Sequence, residues 1–89
     1  MNKAEFILIH YYDEYDDVIK AIIIPTANID SVVEYKPKEK KDKIDGIVSS
    51  ILYTKAGSSY WITETIFTVF ARMLGLEIQP IIPEENFKD

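Results

Sequence analysis

The side chains of this chain that could do chemistry are few and scattered. His10 is the single histidine, and general-base work is what an imidazole does near neutral pH. It stands between Ile9 and Tyr11 in an apolar run, with no serine or cysteine spaced to complete a nucleophilic triad. The pattern reads as a core or rim histidine whose ring nitrogens find local partners. Close by, Asp13, Glu14, Asp16 and Asp17 place four carboxylates within one short segment. A calcium loop needs alternating oxygen ligands, a glycine at the bend and a distal glutamate. Tyr15 breaks the alternation and no glycine is present, so a metal site is not expected there. A solvated hairpin turn remains, and as a functional surface it suits a basic partner. Tyr12, Asp13, Tyr15, Asp16 and Asp17 are therefore the candidate partner-binding residues.

The opposite charge gathers in residues 36–43, where five lysines face only Glu39 and Asp42. Lys38, Lys40 and Lys41 are the candidate anion-binding residues, acting as point charges. No glycine-rich phosphate loop accompanies them, which excludes a P-loop nucleotide site. Asp30, Glu34 and Glu64 are isolated acids with no spacing that suggests an acid–base pair. Ser49, Ser50, Ser58 and Ser59 lack a nucleophile-elbow context. The absence of cysteine removes disulfides, thiolate ligands and cysteine nucleophiles. No cofactor is implied, and no catalytic constellation emerges.

The elements that must carry these residues are mostly strands. Residues 5–12 are apolar on both alternating faces, as in a central strand or a closed barrel. Residues 18–24 form a second strand, stopped by Pro25. Residues 31–35 form a short third strand, and the lysine-rich stretch is a solvated loop. Residues 47–54 and 59–62 make a hairpin around Gly57. Thr63 then reads as an N-cap, Glu64 as a first-turn acid and Gly75 as the terminator of a helix over 64–74. Ile66, Phe67, Val69, Phe70, Met73 and Leu74 lie on one face of it, so Phe70 and Met73 are expected to be buried against the sheet. Beyond it, residues 76–83 are apolar and punctuated by two prolines, an extended tail. Ile78, Ile81 and Ile82 are its candidate oligomer-interface residues.

Composition sets the remaining bounds. Eighty-nine residues make a single domain, with 84–89 expected to fray. Hydrophobic residues are 47% of the chain and isoleucine alone occurs fifteen times, more than one small monomer readily hides. A net charge of −5 argues against general nucleic-acid binding, which rests on a basic footprint. No run reaches the roughly 18 apolar residues of a membrane helix, and no leader pattern opens the chain. A cytoplasmic setting, in a bacterial or phage-infected cell, is the expectation. Tyrosine and tryptophan fall in or beside strands, and adjacent pairs (Tyr11–Tyr12, Tyr60–Trp61) point to opposite faces, so part of this aromatic set is available for contact.

One layout is familiar. The strand pattern Ile29–Tyr35, the glycine hairpin and aromatic strand of Ile51–Glu64, and the apolar helix after it resemble the small FlbD/SwrD-like flagellar proteins over residues 29–74. The Asn-Gly turn of that family is replaced here and the lysine loop is longer. The resemblance implies a non-enzymatic regulatory or interaction protein and carries over no individual site residue.

The reading is an α+β domain: about five mainly antiparallel strands, as a twisted sheet or partial barrel, covered by one C-terminal helix and an extended apolar tail. The expected function is a small, non-enzymatic interaction protein that self-associates and binds or blocks a protein partner, in the manner of a phage inhibitor of a host protein. The alternative is an oligomeric binder of a small anionic ligand at a subunit interface, and a hydrolase stands third.

Overall fold

The computed structural model describes residues 3–36 and 43–76. Five strands and one helix follow one another: β1 (Phe6–Asp13), β2 (Val18–Pro25), β3 (Ile29–Glu34), β4 (Ser50–Thr54), β5 (Ser59–Ile62) and α1 (Ile66–Met73). Short 3₁₀ turns at Thr26–Asn28 and Lys43–Gly46 precede β3 and β4. The strands form one open antiparallel sheet in the order β2-β1-β5-β4-β3. This is the expected α+β class. No helix among the described residues is long and apolar enough to cross a membrane.

Two hairpins build most of the sheet. The acidic turn closes β1–β2 with Asp17 in the left-handed region (φ 56°), a conformation that aspartate tolerates better than most residues. Asp13 fixes the turn by accepting the backbone N–H groups of Tyr15 and Asp16. Gly57 (φ 93°) supplies the bend between β4 and β5. Pro25 ends β2 at the sheet's edge, where a missing N–H costs nothing to the ladder. The ladder between β1 and β5 is much thinner, with Tyr11 opposite Ile62 as its one paired position.

The core lies on one sheet face. Ile7, Ile9, Ile24, Ile29, Leu52 and Ile62 meet there, and Val69 of the helix joins them. A second, smaller cluster forms on the other face, where Ile44 and Val48 pack with Tyr12, and Tyr35 closes over them. Residues 47–49, expected within the fourth strand, are outside β4: the N–H groups of Ile47 and Val48 both turn back to the carbonyl of Ile44, which drives Val48 into this cluster.

The helix is shorter than the pattern predicts and seated differently. Thr65, not Thr63, is the N-cap, its hydroxyl accepting the Thr68 N–H. Glu64 therefore precedes the helix and is not part of it. Gly75 does terminate it: the Leu76 N–H reaches the Ala71 carbonyl and the Gly75 N–H the Arg72 carbonyl, the two bonds of a Schellman motif. The expected burial of Phe70 is not found, since Phe70 is 62% and Phe67 78% exposed, while Met73 is half-buried against the core. The reason is the helix's position. It rests between β1 and β3, sinking only Val69 fully, and Phe67 and Phe70 line the open groove between helix and β3.

Candidate functional site

The densest polar cluster forms where β5 leaves β1. Beyond Thr63, whose N–H still bonds the His10 carbonyl, no strand among the described residues continues along β1, and the backbone groups of that edge need other partners. Side chains supply them. Glu64 Oε1 accepts the His10 backbone N–H at 2.9 Å, and Arg72 reaches from the helix to the Leu8 carbonyl at 2.7 Å. The same guanidinium donates to Glu64 Oε2 at 2.9 Å, and His10 Nδ1 lies 2.7 Å from that oxygen. Ser50, fully buried on β4, donates its hydroxyl to the Glu64 carbonyl.

Glu64 is only 7% exposed. Burial is the largest single influence on its carboxyl and pushes the pKa up. The His10 backbone amide, the His10 ring and the Arg72 guanidinium together outweigh it, and the group titrates below its ordinary range. An ionised carboxylate only accepts, so Nδ1 carries the imidazole hydrogen and Nε2 is left for other contacts. A carboxylate that fixes an imidazole tautomer in this way is one half of the acid–base arrangement in hydrolases. The other half, a hydroxyl hydrogen-bonded to the imidazole, is absent among the described residues. Sequence reasoning read His10 as a core or rim histidine with locally satisfied nitrogens; the ring is half-exposed, and its Nδ1 has a partner. That reading missed that the partner is Glu64 and that Arg72 joins the two.

The acidic turn is tied together more than the sequence suggests. Lys20 bridges Asp13 at 2.6 Å and Asp16 at 2.7 Å. Those hydrogen bonds raise the Lys20 pKa well above its ordinary value, and the Lys20 contact is the chief cause that lowers the Asp13 pKa. Asp17 accepts the Tyr12 hydroxyl at 2.6 Å, and Tyr12 is buried. Glu14 has no ion pair among the described residues.

Past the Tyr11–Ile62 position the two strands splay, and a concavity of about 370 Å³ opens between residues 11–15 and 59–61. Of the expected partner-binding set, Tyr12, Asp13 and Tyr15 line it, while Asp16 and Asp17 do not. Glu14, Tyr60 and Trp61 join the lining. Trp61 was legible only as one of a pair of neighbours facing opposite ways. Lys38, Lys40 and Lys41, and Ile78, Ile81 and Ile82, lie outside the described residues.

The face of β1–β2 turned away from the core is apolar. Phe6 and Leu8 stand on it, and the register sets Ile23 opposite Leu8 and Ile19 opposite Tyr12. Phe6 (58%) and Ile23 (64%) are largely exposed, Leu8 and Ile19 nearly half. No protein-family model, curated protein or solved structure matches this chain.

Proposed function

We propose that this chain is a small, non-enzymatic interaction protein that self-associates and acts by engaging a protein partner. The observation that carries the reading is the second face of the β1–β2 hairpin. An antiparallel sheet with one face in water alternates apolar and polar residues, yet here Phe6, Leu8 and Ile23 stand exposed beside one another, with Ile19 on the same face beyond the His10–Ala21 pair. A contiguous apolar surface of this kind marks an interface, and a two-fold pairing of like faces is the commonest way to close one. The bonds of Glu64 to the His10 N–H, the His10 ring and Arg72, with Arg72 on the Leu8 carbonyl, hold β1 and α1 together, a structural role that favours binding over hydrolysis. The resemblance read from the sequence over residues 29–74 implies the same class.

The test is light scattering coupled to size exclusion at tens of micromolar protein. The wild type is expected at a multiple of the 10.3 kDa chain mass, and Ile23→Lys, which sets a charge on the exposed face, is expected at the monomer mass with its fold retained. A monomeric wild type overturns the reading, and so does an assembly indifferent to Ile23→Lys and Leu8→Glu together.

A further inference from the structure

We propose that the concavity between residues 11–15 and 59–61 binds a cationic side chain, an arginine before a lysine, presented by a basic segment of a protein partner. The inference rests on the reading of the chain as an interaction protein but uses a different surface, at the opposite end of β1 from the Phe6–Leu8 face.

Three features of the site carry it. The first is its walls. Tyr11 and Tyr60 meet edge to face, ring centres 5.2 Å apart and planes at 71°, so two aromatic surfaces turn a corner. Trp61 has Tyr35 beside it, ring centres 6.4 Å apart and planes tilted by 37°. Tyr15 stands over the rim, 94% exposed, on a turn whose backbone is pinned by Asp13. Aromatic faces are negative and attract cations, and more strongly where water is partly excluded.

The second feature is charge. Lys20 occupies Asp13 together with Asp16, and Asp17 holds the Tyr12 hydroxyl. Glu14 is thus the lining carboxylate without an ion pair among the described residues. Four acids against one lysine leave the surrounding field negative, which rejects an anion and draws a cation. The third feature is how the opening arises. The strands part after Tyr11–Ile62, so the concavity is built by the sheet and a pinned turn. A planar guanidinium stacks on such walls and reaches a carboxylate in the same plane, whereas a compact ammonium does only the second.

Trp61 is the sole tryptophan and lines the site, so its fluorescence reads occupancy in the unmodified full chain. The probe is acetyl-Gly-Arg-Gly-amide, with the citrulline peptide, of the same shape but uncharged, as control. The arginine peptide is expected to give a saturable change with a Kd of order 1–10 mM, weakening with added salt. Tyr15→Ala and Glu14→Gln, both at exposed turn positions, are expected to weaken it about fivefold each while melting as the wild type does. Equal response to the citrulline peptide overturns the proposal. So does a linear, unsaturable response to about 50 mM, or wild-type affinity in both variants. Running the titration on Ile23→Lys as well separates this site from the self-association reading. A monomeric wild type that binds the arginine peptide removes that reading and leaves the site standing, and an assembly that ignores the peptide does the reverse.

Discussion

Replacing Glu64 by alanine is the sharpest test of how this domain is held together. The substitution removes the acceptor of three hydrogen bonds, from the His10 N–H, the His10 ring and Arg72. Leaving a part-buried backbone N–H without a partner costs about 1–3 kcal/mol. Breaking a buried ion pair costs about 3–5 kcal/mol when the surviving charge is sealed from water. Here Arg72 and His10 are each about a third or more exposed on their side chains and recover water, so their share is smaller. The sum is about 3 kcal/mol, against a total of about 5–13 kcal/mol for a domain of this length. At 4–8 °C per kcal/mol, the melting temperature should drop by roughly 12–24 °C. Glu64→Gln should cost less, about 2 kcal/mol, since its amide oxygen still serves the His10 N–H while its NH₂ opposes two donors. The carboxyl titrates below the ordinary 4.5, so on acidification the unfolded chain takes up this proton first. Glu64's contribution is therefore whole above that value and is lost as pH falls through the folded-state pKa. Urea melts of wild type and Glu64→Gln should differ by a constant amount above about pH 5.5 and converge as pH falls below the ordinary glutamate range. A Glu64→Ala protein melting within about 3 °C of wild type, or a difference that grows toward acid, would refute the argument.

Two further outcomes follow from the way the helix sits. Val69→Ala should cost about 2 kcal/mol, because Val69 is 1% exposed in the core, whereas Phe70→Ala should shift stability by about 0.5 kcal/mol or less; thermal melts that reverse this order would place the helix differently. Thr65→Ala removes the hydroxyl that caps the Thr68 N–H and should cost about 1 kcal/mol, with Thr65→Ser restoring most of it, and a neutral result in chemical denaturation would return the cap to Thr63.

What the sequence made legible was local. The β4–β5 hairpin could be read from Gly57 and its flanking β-branched and aromatic residues, because a tight turn depends on a handful of neighbours. Pro25 marked the end of β2 for the same reason. The apolar arc of α1 was also visible, but periodicity reports which face is apolar and not which of its residues finds a partner. Phe67 and Phe70 share that face with Val69 and remain exposed, since the helix lies between β1 and β3. The choice between Thr63 and Thr65 as cap was decided by Glu64. Once that carboxylate is drawn to His10, the chain cannot become helical until the following residue. That pull links positions 54 apart in sequence, and no local pattern encodes it. The candidate site divides likewise. The acidic turn and its tyrosines were read from adjacency, while Tyr60 and Trp61 came to it through the splaying of two strands distant in sequence.

The sheet's two outer strands, β2 and β3, are consecutive in the chain and joined by the single turn Thr26–Asn28. An outer strand is ordinarily the place where one molecule zips onto the next and aggregation begins. Here each is spoiled as a template. β2 ends in a proline that has no hydrogen to offer, and β3 carries a register irregularity between Ile29 and Ser31, which twists a strand out of line. Lys20, a charge on β2, adds to the interruption. A chain this rich in isoleucine can thus expose apolar surface on a sheet face without its edges inviting endless strand-by-strand growth.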